Sequence, residues 1–565
     1  MDIPRYALIA ASILLGLMLL GEWTRFSSEL QKPPEPVAMV ETTAPDIEPF
    51  LDNDTAAPFT QTAPTDLPTT EDIAPALADP DLSTPTTSAG SVVRVETDVL
   101  LVMIDLVGGD VVGAALKDYP KTLGNPSDPF VLLERNGNRT YIAQSGLVGR
   151  DGIDRTERAV YVSEKSHYQS TSGEPLEVSL RYAGDGPTAV SKIFSFEPGS
   201  HTIAVRHEIH NISSTEVLVT PFAQLKRDGS PAPTASDSGM GMRPFLGSAL
   251  THPDQRFEKF DFEEMADAPF KADLEGGWVA MLQHYFVSAW VPDPAGTYRY
   301  HTRHTGNGFN IIGYTGPALS LAADERISVS NQLYVGPKNQ GVLSSLAPHL
   351  DLVVDYGWLW WIAQPLFWLL TFIQSMVTNW GVAIIMLTFI VKLAFFQLSA
   401  AGYKSMARMR KVQPRILAIR EEYANDKAKQ SQAMMELYKK EQINPLGGCL
   451  PILVQMPVFI ALYWVLMESV ELRQAPFALW IDDLSVMDPY FVLPILMGAS
   501  MYYMQKLNPP PPDPMQAKVM QWMPIVFTFF FLWFPAGLVL YWLANNLLSM
   551  AQQYIINRKI ESGAI

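Results

Sequence analysis

Two hydrophobic rhythms divide this chain. Over residues 91–342 apolar and polar side chains alternate in short runs, among them Val92-Val93-Arg94-Val95-Glu96, Leu176-Glu177-Val178-Ser179-Leu180 and Thr202-Ile203-Ala204-Val205-Arg206. Turn formers such as Arg135-Asn136-Gly137-Asn138 separate them. A period of two, broken by Gly, Asn, Asp and Pro, predicts a large antiparallel β-sandwich. From residue 379 onward the apolar runs lengthen. The stretches 379–400, 449–467, 490–505, 518–534 and 537–556 each read as a helix that crosses a bilayer. After the first of them, 402–447 is polar and basic, with Met406, Met409, Val412, Ile416, Ile419 and Tyr423 spaced by three and four. That stripe predicts a helical hairpin bent at Pro414, turning at Asn425-Asp426 and returning through Met434, Leu437 and Tyr438.

Three segments complete the map. Residues 1–21 hold an apolar run after Arg5 with no small-x-small cleavage site following it, which predicts an uncleaved transmembrane anchor. Residues 22–90 are rich in Pro, Thr, Ala and acid, too poor in apolar surface to offset the entropy of ordering, and are expected to form a disordered linker. Residues 343–378 carry Trp358, Trp360, Trp361 and Trp368, interrupted by Pro365. If this segment crossed the membrane, the basic hairpin would emerge outside, against the positive-inside rule, so it is expected to lie flat on the outer leaflet. The acidic loop 468–488 also suits the outside, and Asn508-Pro509-Pro510-Pro511-Pro512 a stiff inner turn. The expected fold class is multi-domain: a polytopic α-helical membrane domain (the anchor plus a five-span core, 379–560), an all-β domain outside, and both termini in the cytoplasm.

Composition agrees with a mixed chain. Its 565 residues are 48% hydrophobic, with a formal charge of −17 concentrated before residue 90, while Lys and Arg gather between 403 and 440. The single cysteine, Cys449, excludes an intramolecular disulfide, so an external domain must be held by its own core. His207-Glu208-Ile209-His210 lacks the zinc-protease spacing, and in a strand His207 and His210 point to opposite sides. Residues His301 and His304 are read the same way, as ordinary strand histidines. No metal, cofactor or catalytic residue is expected, and no nucleic-acid specificity.

The chemistry concentrates at Lys392, about eight residues, or roughly 12 Å, from the C-terminal end of the span 379–400. A cation there costs about 2.5–3.5 kcal/mol on insertion scales. Thr388, Lys392 and Ser399 share one helix face. Two readings stay open: a lysine that snorkels to the headgroups, or a wet, positively charged cavity. Gln455, Ser500, Thr528, Asn545 and Asn546 add polar groups to the other spans, Trp533 and Trp542 border them, and no Asp or Glu lies deep in these spans to neutralise the charge.

Asn444-Pro445-Leu446-Gly447-Gly448-Cys449, Glu471-Leu472-Arg473-Gln474-Ala475-Pro476-Phe477 and Phe534-Pro535-Ala536-Gly537-Leu538-Val539-Leu540-Tyr541 resemble the YidC family of membrane protein insertases, over about residues 356–556. The anchor, linker and β-domain look like the Gram-negative form. The resemblance implies an inner-membrane insertase and folding chaperone without covalent chemistry, carrying a periplasmic β-supersandwich and working alone or beside the Sec translocon and its accessory subunits. The family's intramembrane cation, usually arginine, falls on Lys392, and the groove positions on Thr388, Gln455, Trp533 and Trp542. Met406, Arg408, Met409, Arg410 and Lys411 on the hairpin would meet nascent membrane proteins first. The ribosome is a further possible partner, but the chain ends Asn557-Arg558-Lys559-Ile560-Glu561-Ser562-Gly563-Ala564-Ile565, without the long basic tail that supports ribosome contact in some members. A rival reading is a small-anion transporter or channel with Lys392 as its ligand site, which predicts inverted repeats that the sequence does not display. A third, a sugar-binding β-domain on a helical anchor, leaves Lys392 unexplained.

Overall fold

The computed structural model describes residues 92–125, 127–170, 173–232, 244–252, 255–441, 450–507 and 514–561. The expected anchor (1–21) and linker (22–90), the motif at 444–449 and the proline run at 509–512 lie outside them.

Alternation in the sequence becomes two stacked sheets. Among the described residues, strands from Val92–Glu96 to Arg326–Pro337 form one eleven-stranded and one nine-stranded sheet. Pairing is antiparallel except where Val92–Glu96 runs parallel to His167–Gln169. Strand Thr202–Asn211 lies between Thr188–Phe196 and Arg326–Pro337 and turns Ile203, Val205, His207 and Ile209 inward. His207 is fully buried, whereas His210 points outward with Nε2 2.8 Å from Asp324 Oδ1. His301 is buried too, and His304 Nδ1 lies 2.8 Å from Asn310 Oδ1. Among the described residues no histidine or carboxylate cluster could hold a metal.

A charged cluster pins the sheets together inside the apolar core. Arg158 bridges Asp110 and Asp154, the latter at 2.8 Å. Asp154 also accepts the Leu147 and Ala159 N–H groups at 2.9 and 3.0 Å. Gly146 makes room for it, because a Cβ there would sit 2.2 Å from Asp154 Oδ2. Lys192, on the nine-stranded sheet, donates to the Gly108 and Ser145 carbonyls at 3.1 and 2.9 Å, and burial pushes its ammonium down to about 7.

Short helices α1 (Phe262–Asp267) and α2 (Gln340–Leu346) are capped by the Asp261 and Asn339 side chains. Eight longer helices follow among the described residues: α3 (Trp360–Val377), α4 (Trp380–Ala394), α5 (Phe396–Glu422), α6 (Lys427–Lys440), α7 (Leu450–Glu468), α8 (Val492–Leu507), α9 (Pro514–Phe531) and α10 (Ala536–Glu561). α3 runs unbroken through Pro365, burying Ala363, Leu370 and Ile373 and exposing Trp360, Trp361, Trp368 and Phe372. Its inner face packs on α4 and α7.

The expected single helix over 379–400 is corrected. α4 ends at Ala394, Phe395 leaves the helical region (φ −92°, ψ 12°), and α5 departs at 68°. The bend therefore stands at Phe395 and not at Pro414, through which α5 continues. Residues 396–400, read as the end of a span, belong to the first helix of the hairpin. Its seam joins Met409, Val412, Ile416 and Ile419 to Met434, Leu437 and Tyr438. Among the described residues no single helix is long and apolar enough to cross a membrane, while the bent pair α4–α5 is so when taken together.

The β-sandwich and the helices meet around the α7–α8 connection. Lys338 and Glu468 form a buried ion pair at 3.4 Å, His284 Nε2–H donates to the Met467 carbonyl at 2.8 Å, and Arg473 and Gln474 donate to the Pro120 carbonyl at 2.7 and 2.9 Å. Val470 is buried in the sandwich core itself.

Two outcomes follow from these contacts. Arg158→Met strands two buried carboxylates and is expected to destabilise the sandwich by about 3–5 kcal/mol, read as a lowered thermal midpoint of the full chain. Burial, reinforced by Lys338, pushes the His284 imidazole down to about 3. The folded ring is thus neutral, while the unfolded one takes up a proton below about 6.5. Its contribution is complete above that value and is lost as pH falls, by about 2 kcal/mol at pH 5. His284→Asn keeps an N–H donor but cannot titrate, so its unfolding midpoint should fall less than the parent's between pH 7 and 5.

Candidate functional site

α4, α5, α7 and α10 converge on Lys392. The break at Phe395 puts this residue in the last turn of α4, the end of a helix at which the dipole favours a cation. Lys392 is 9% exposed. Its Nζ donates to Ser549 Oγ at 2.8 Å and to Gln455 Oε1 at 3.2 Å. Gln455 Nε2 donates in turn to Asn545 Oδ1 at 2.7 Å, and Ser549 Oγ to the Asn545 carbonyl at 2.6 Å. The hydroxyls of Tyr403 and Tyr541 reach Ser549 and Gln455. Among the described residues no carboxylate lies within 4.0 Å of the ammonium. The charge is held by neutral oxygens alone.

An aromatic layer adjoins this polar one. One turn from Gln455 on α7, Phe459 packs against Trp542, centroids 4.3 Å apart, and Trp542 also meets Phe531 of α9 at 4.7 Å. Since Trp542 precedes Asn545 by three positions, the two layers share one face of α10. From the adjacent position on α10, Asn546 donates to Ser500 Oγ of α8 at 3.0 Å. α8 and α9 approach so closely that a Cβ at Gly498 would lie 1.8 Å from Thr528 Oγ1.

The expected site residues divide accordingly. Lys392 and Gln455 are bonded to each other. Thr388 is buried one turn before Lys392, but its hydroxyl donates to the Ile384 carbonyl at 2.6 Å and not to the network. Trp542 belongs to the aromatic layer, and Trp533 stands edge-on to Phe529 at 4.9 Å, near the start of α10. On the hairpin, Arg408, Arg410 and Lys411 are exposed and Met406 is half-buried, whereas Met409 is part of the seam. Ser549, Tyr403 and Tyr541 were not among the expected site residues. The spacing of four between Asn545 and Ser549 is the signal that points to the serine.

Comparison with known proteins gives the context. The YidC periplasmic domain family matches residues 92–369, and the 60Kd inner membrane protein family residues 372–563. A membrane protein insertase YidC from a Marinomonas species (strain MWYL1) is 55% identical over 84% of this chain and 86% of its own length. One from Pseudomonas fluorescens (strain SBW25) is 49% identical over 100% of this chain and 99% of its own. A solved active YidC insertase with its first transmembrane domain resolved aligns over 82% of this chain and 94% of its own at 19% identity, with a TM-score of 0.37, too low to add to the assignment. Identity of about one residue in two, spanning sandwich and helices alike, makes this chain a member of the YidC family of membrane protein insertases.

Proposed function

We propose that this chain inserts and folds membrane proteins in the inner membrane, with its sandwich in the periplasm, its hairpin and both termini in the cytoplasm, and no covalent step. The observation that carries the reading is Lys392, a buried ammonium whose bonded partners are neutral. A polar or acidic segment of a client entering beside α4, α7 and α10 would exchange water for these side chains and be drawn by an uncancelled charge, which lowers the cost of leaving the aqueous phase. Met406, Arg408, Arg410 and Lys411 on the hairpin would meet the client first. Its apolar helix would pass into lipid along α7 and α9, whose outer faces expose Val454, Met456, Trp522, Ile525, Val526 and Phe529.

In this reading α4 with α5, α7, α8, α9 and α10 cross the bilayer, α3 lies on its outer surface, and 1–21 anchors the chain. α7, α8 and α9 contain 19, 16 and 18 residues. They reach about 24–29 Å, short of a hydrocarbon layer of about 30 Å, so a thinned bilayer accommodates them. The Sec translocon and the ribosome fit as partners at the lipid-facing and hairpin surfaces. The small-anion transporter reading finds no support among the relatives.

Lys392→Ala is expected to lower insertion of clients with acidic translocated tails roughly tenfold, equivalent to about 1.4 kcal/mol, whereas Lys392→Arg keeps the charge and the activity. Equal rates for all three proteins in liposomes would sink the electrostatic step, and solute flux without client insertion would sink the whole reading. The network has a separate signature in stability. Ser549→Ala removes a bond to a charged group and should cost about 1.5–3 kcal/mol, against about 1 kcal/mol or less for Thr388→Val, which loses only a bond within its own helix. Thermal unfolding in one detergent compares the two.

A further inference from the structure

The connection between α7 and α8 is tightly folded on its inner side and apolar on its outer side. Leu472, Ala475, Ile481 and Leu484 are buried in the helical core. The Phe477 N–H donates to the Ile481 carbonyl at 2.9 Å, the Leu484 N–H to Ala475 at 3.0 Å, and Asn379 Nδ2 holds the Phe477 carbonyl at 2.9 Å. The loop is thereby fastened to the start of α4. Asp488, fully buried, accepts from Trp480 Nε1 at 2.9 Å and from the Leu493 N–H at 2.7 Å.

At the turn between Phe477 and Ile481 stands Leu479. It is 87% exposed, more than any other large hydrophobic residue described, and its φ is +58°. Tyr490 is also widely exposed, and exposed Phe491 has a φ of +56°. Left-handed backbone suits glycine or asparagine and is sterically costly for leucine, and water around a bare leucine is a second cost. The loop's hydrogen bonds impose the first. Nothing in the described chain relieves the second.

The surroundings say what does. Asn379, which grips this loop, follows directly on the end of α3, where Trp368, Phe372 and Met376 are exposed, and α4 continues the apolar exposure through Val382, Met386 and Phe389. Exposed tryptophan at one end of a continuous run of exposed apolar side chains is the pattern of a boundary between water and hydrocarbon. Asp482, three residues beyond Leu479, is exposed and sets a limit to depth.

We propose that the α7–α8 loop is a second outer-leaflet anchor beside α3, with Leu479 as its tip and Tyr490 and Phe491 as its shoulders, seated at the boundary between lipid headgroups and acyl chains. The anchor rests on the membrane crossing proposed above. Continuity with the tryptophan-bearing face of α3 favours lipid over a protein groove as the occupant.

Nitroxide labels on the full chain in liposomes test it. In a Cys449→Ser background, Leu479→Cys, Asp482→Cys and Ile525→Cys are labelled singly, and their accessibility to oxygen and to a water-soluble nickel chelate is compared. The expected oxygen-to-nickel ratio at 479 is several-fold above that at 482 and approaches that at 525, on the outer face of α9. An aqueous 479 with a lipid-exposed 525 overturns the anchor alone. A label at 479 shielded from both reagents overturns it in favour of a protein partner. An aqueous 525 overturns the membrane crossing itself, and the anchor with it.

Discussion

The structure depends on how one ammonium is solvated. Removing Lys392 from water costs several kcal/mol, and the protein offsets that cost with Ser549 Oγ and Gln455 Oε1, helped by the residue's place in the last turn of α4. A carboxylate would offset it more fully, but it would also cancel the charge. Neutral acceptors stabilise the cation and leave its field intact, which is what a site that attracts acidic segments requires. The same logic makes the break at Phe395 part of the site, since an unbroken helix would place Lys392 in its interior, away from a dipole end.

Holding neutral acceptors in place takes more structure than holding a counter-ion. Gln455 is fixed from both sides, by Lys392 and Asn545, and Ser549 by Lys392 and the Asn545 carbonyl. Asn545 is therefore the hinge of the network, and α10 its spine. On one face α10 carries Trp542 and Asn545, and on another Asn546 bonds Ser500 of α8. Aromatic packing of Trp542 with Phe459 and Phe531 covers one side of the polar layer with apolar surface.

Much of this was legible from residue order. Period-two runs such as 202–206 became strands with the expected inward set, the opposed faces of His207 and His210 followed from alternation, and the spacing of Met409, Val412, Ile416 and Ile419 became the hairpin seam. Lys392 and Gln455 were recognisable because polar groups in apolar runs are costly. Other features were hidden for physical reasons. The bend at Phe395 has no proline or glycine to announce it, and apolar periodicity runs straight across it. A serine in a helix as mixed as α10 stands out only when its partner is known. Thr388 shares the lysine's face, yet a threonine can satisfy itself on its own helix, and here it does. The buried cluster joins Arg158 to Asp110, 48 residues apart in sequence, beyond any local pattern.

The contacts of α7 bear on which parts can move. Its outer end is clamped to the sandwich by Glu468 and the Met467 carbonyl, with Val470 buried in the sandwich core just beyond, while Gln455 near its inner end holds Lys392. A helix fixed at both ends acts as a strut, and any opening of the site must come from elements without such clamps. The hairpin beyond Tyr403, whose hydroxyl reaches Ser549, is one: its buried apolar contacts are confined to its own seam. α9 is held less firmly than α7: Ile525, Val526 and Phe529 face outward, while Phe531 reaches the helical core and the helix touches α8 at Gly498 and through Gln505. Segments with few buried contacts open at low cost. In the proposed role, a client route bounded by a clamped α7 and a less firmly held α9 would let apolar helices leave sideways into lipid without disturbing Lys392.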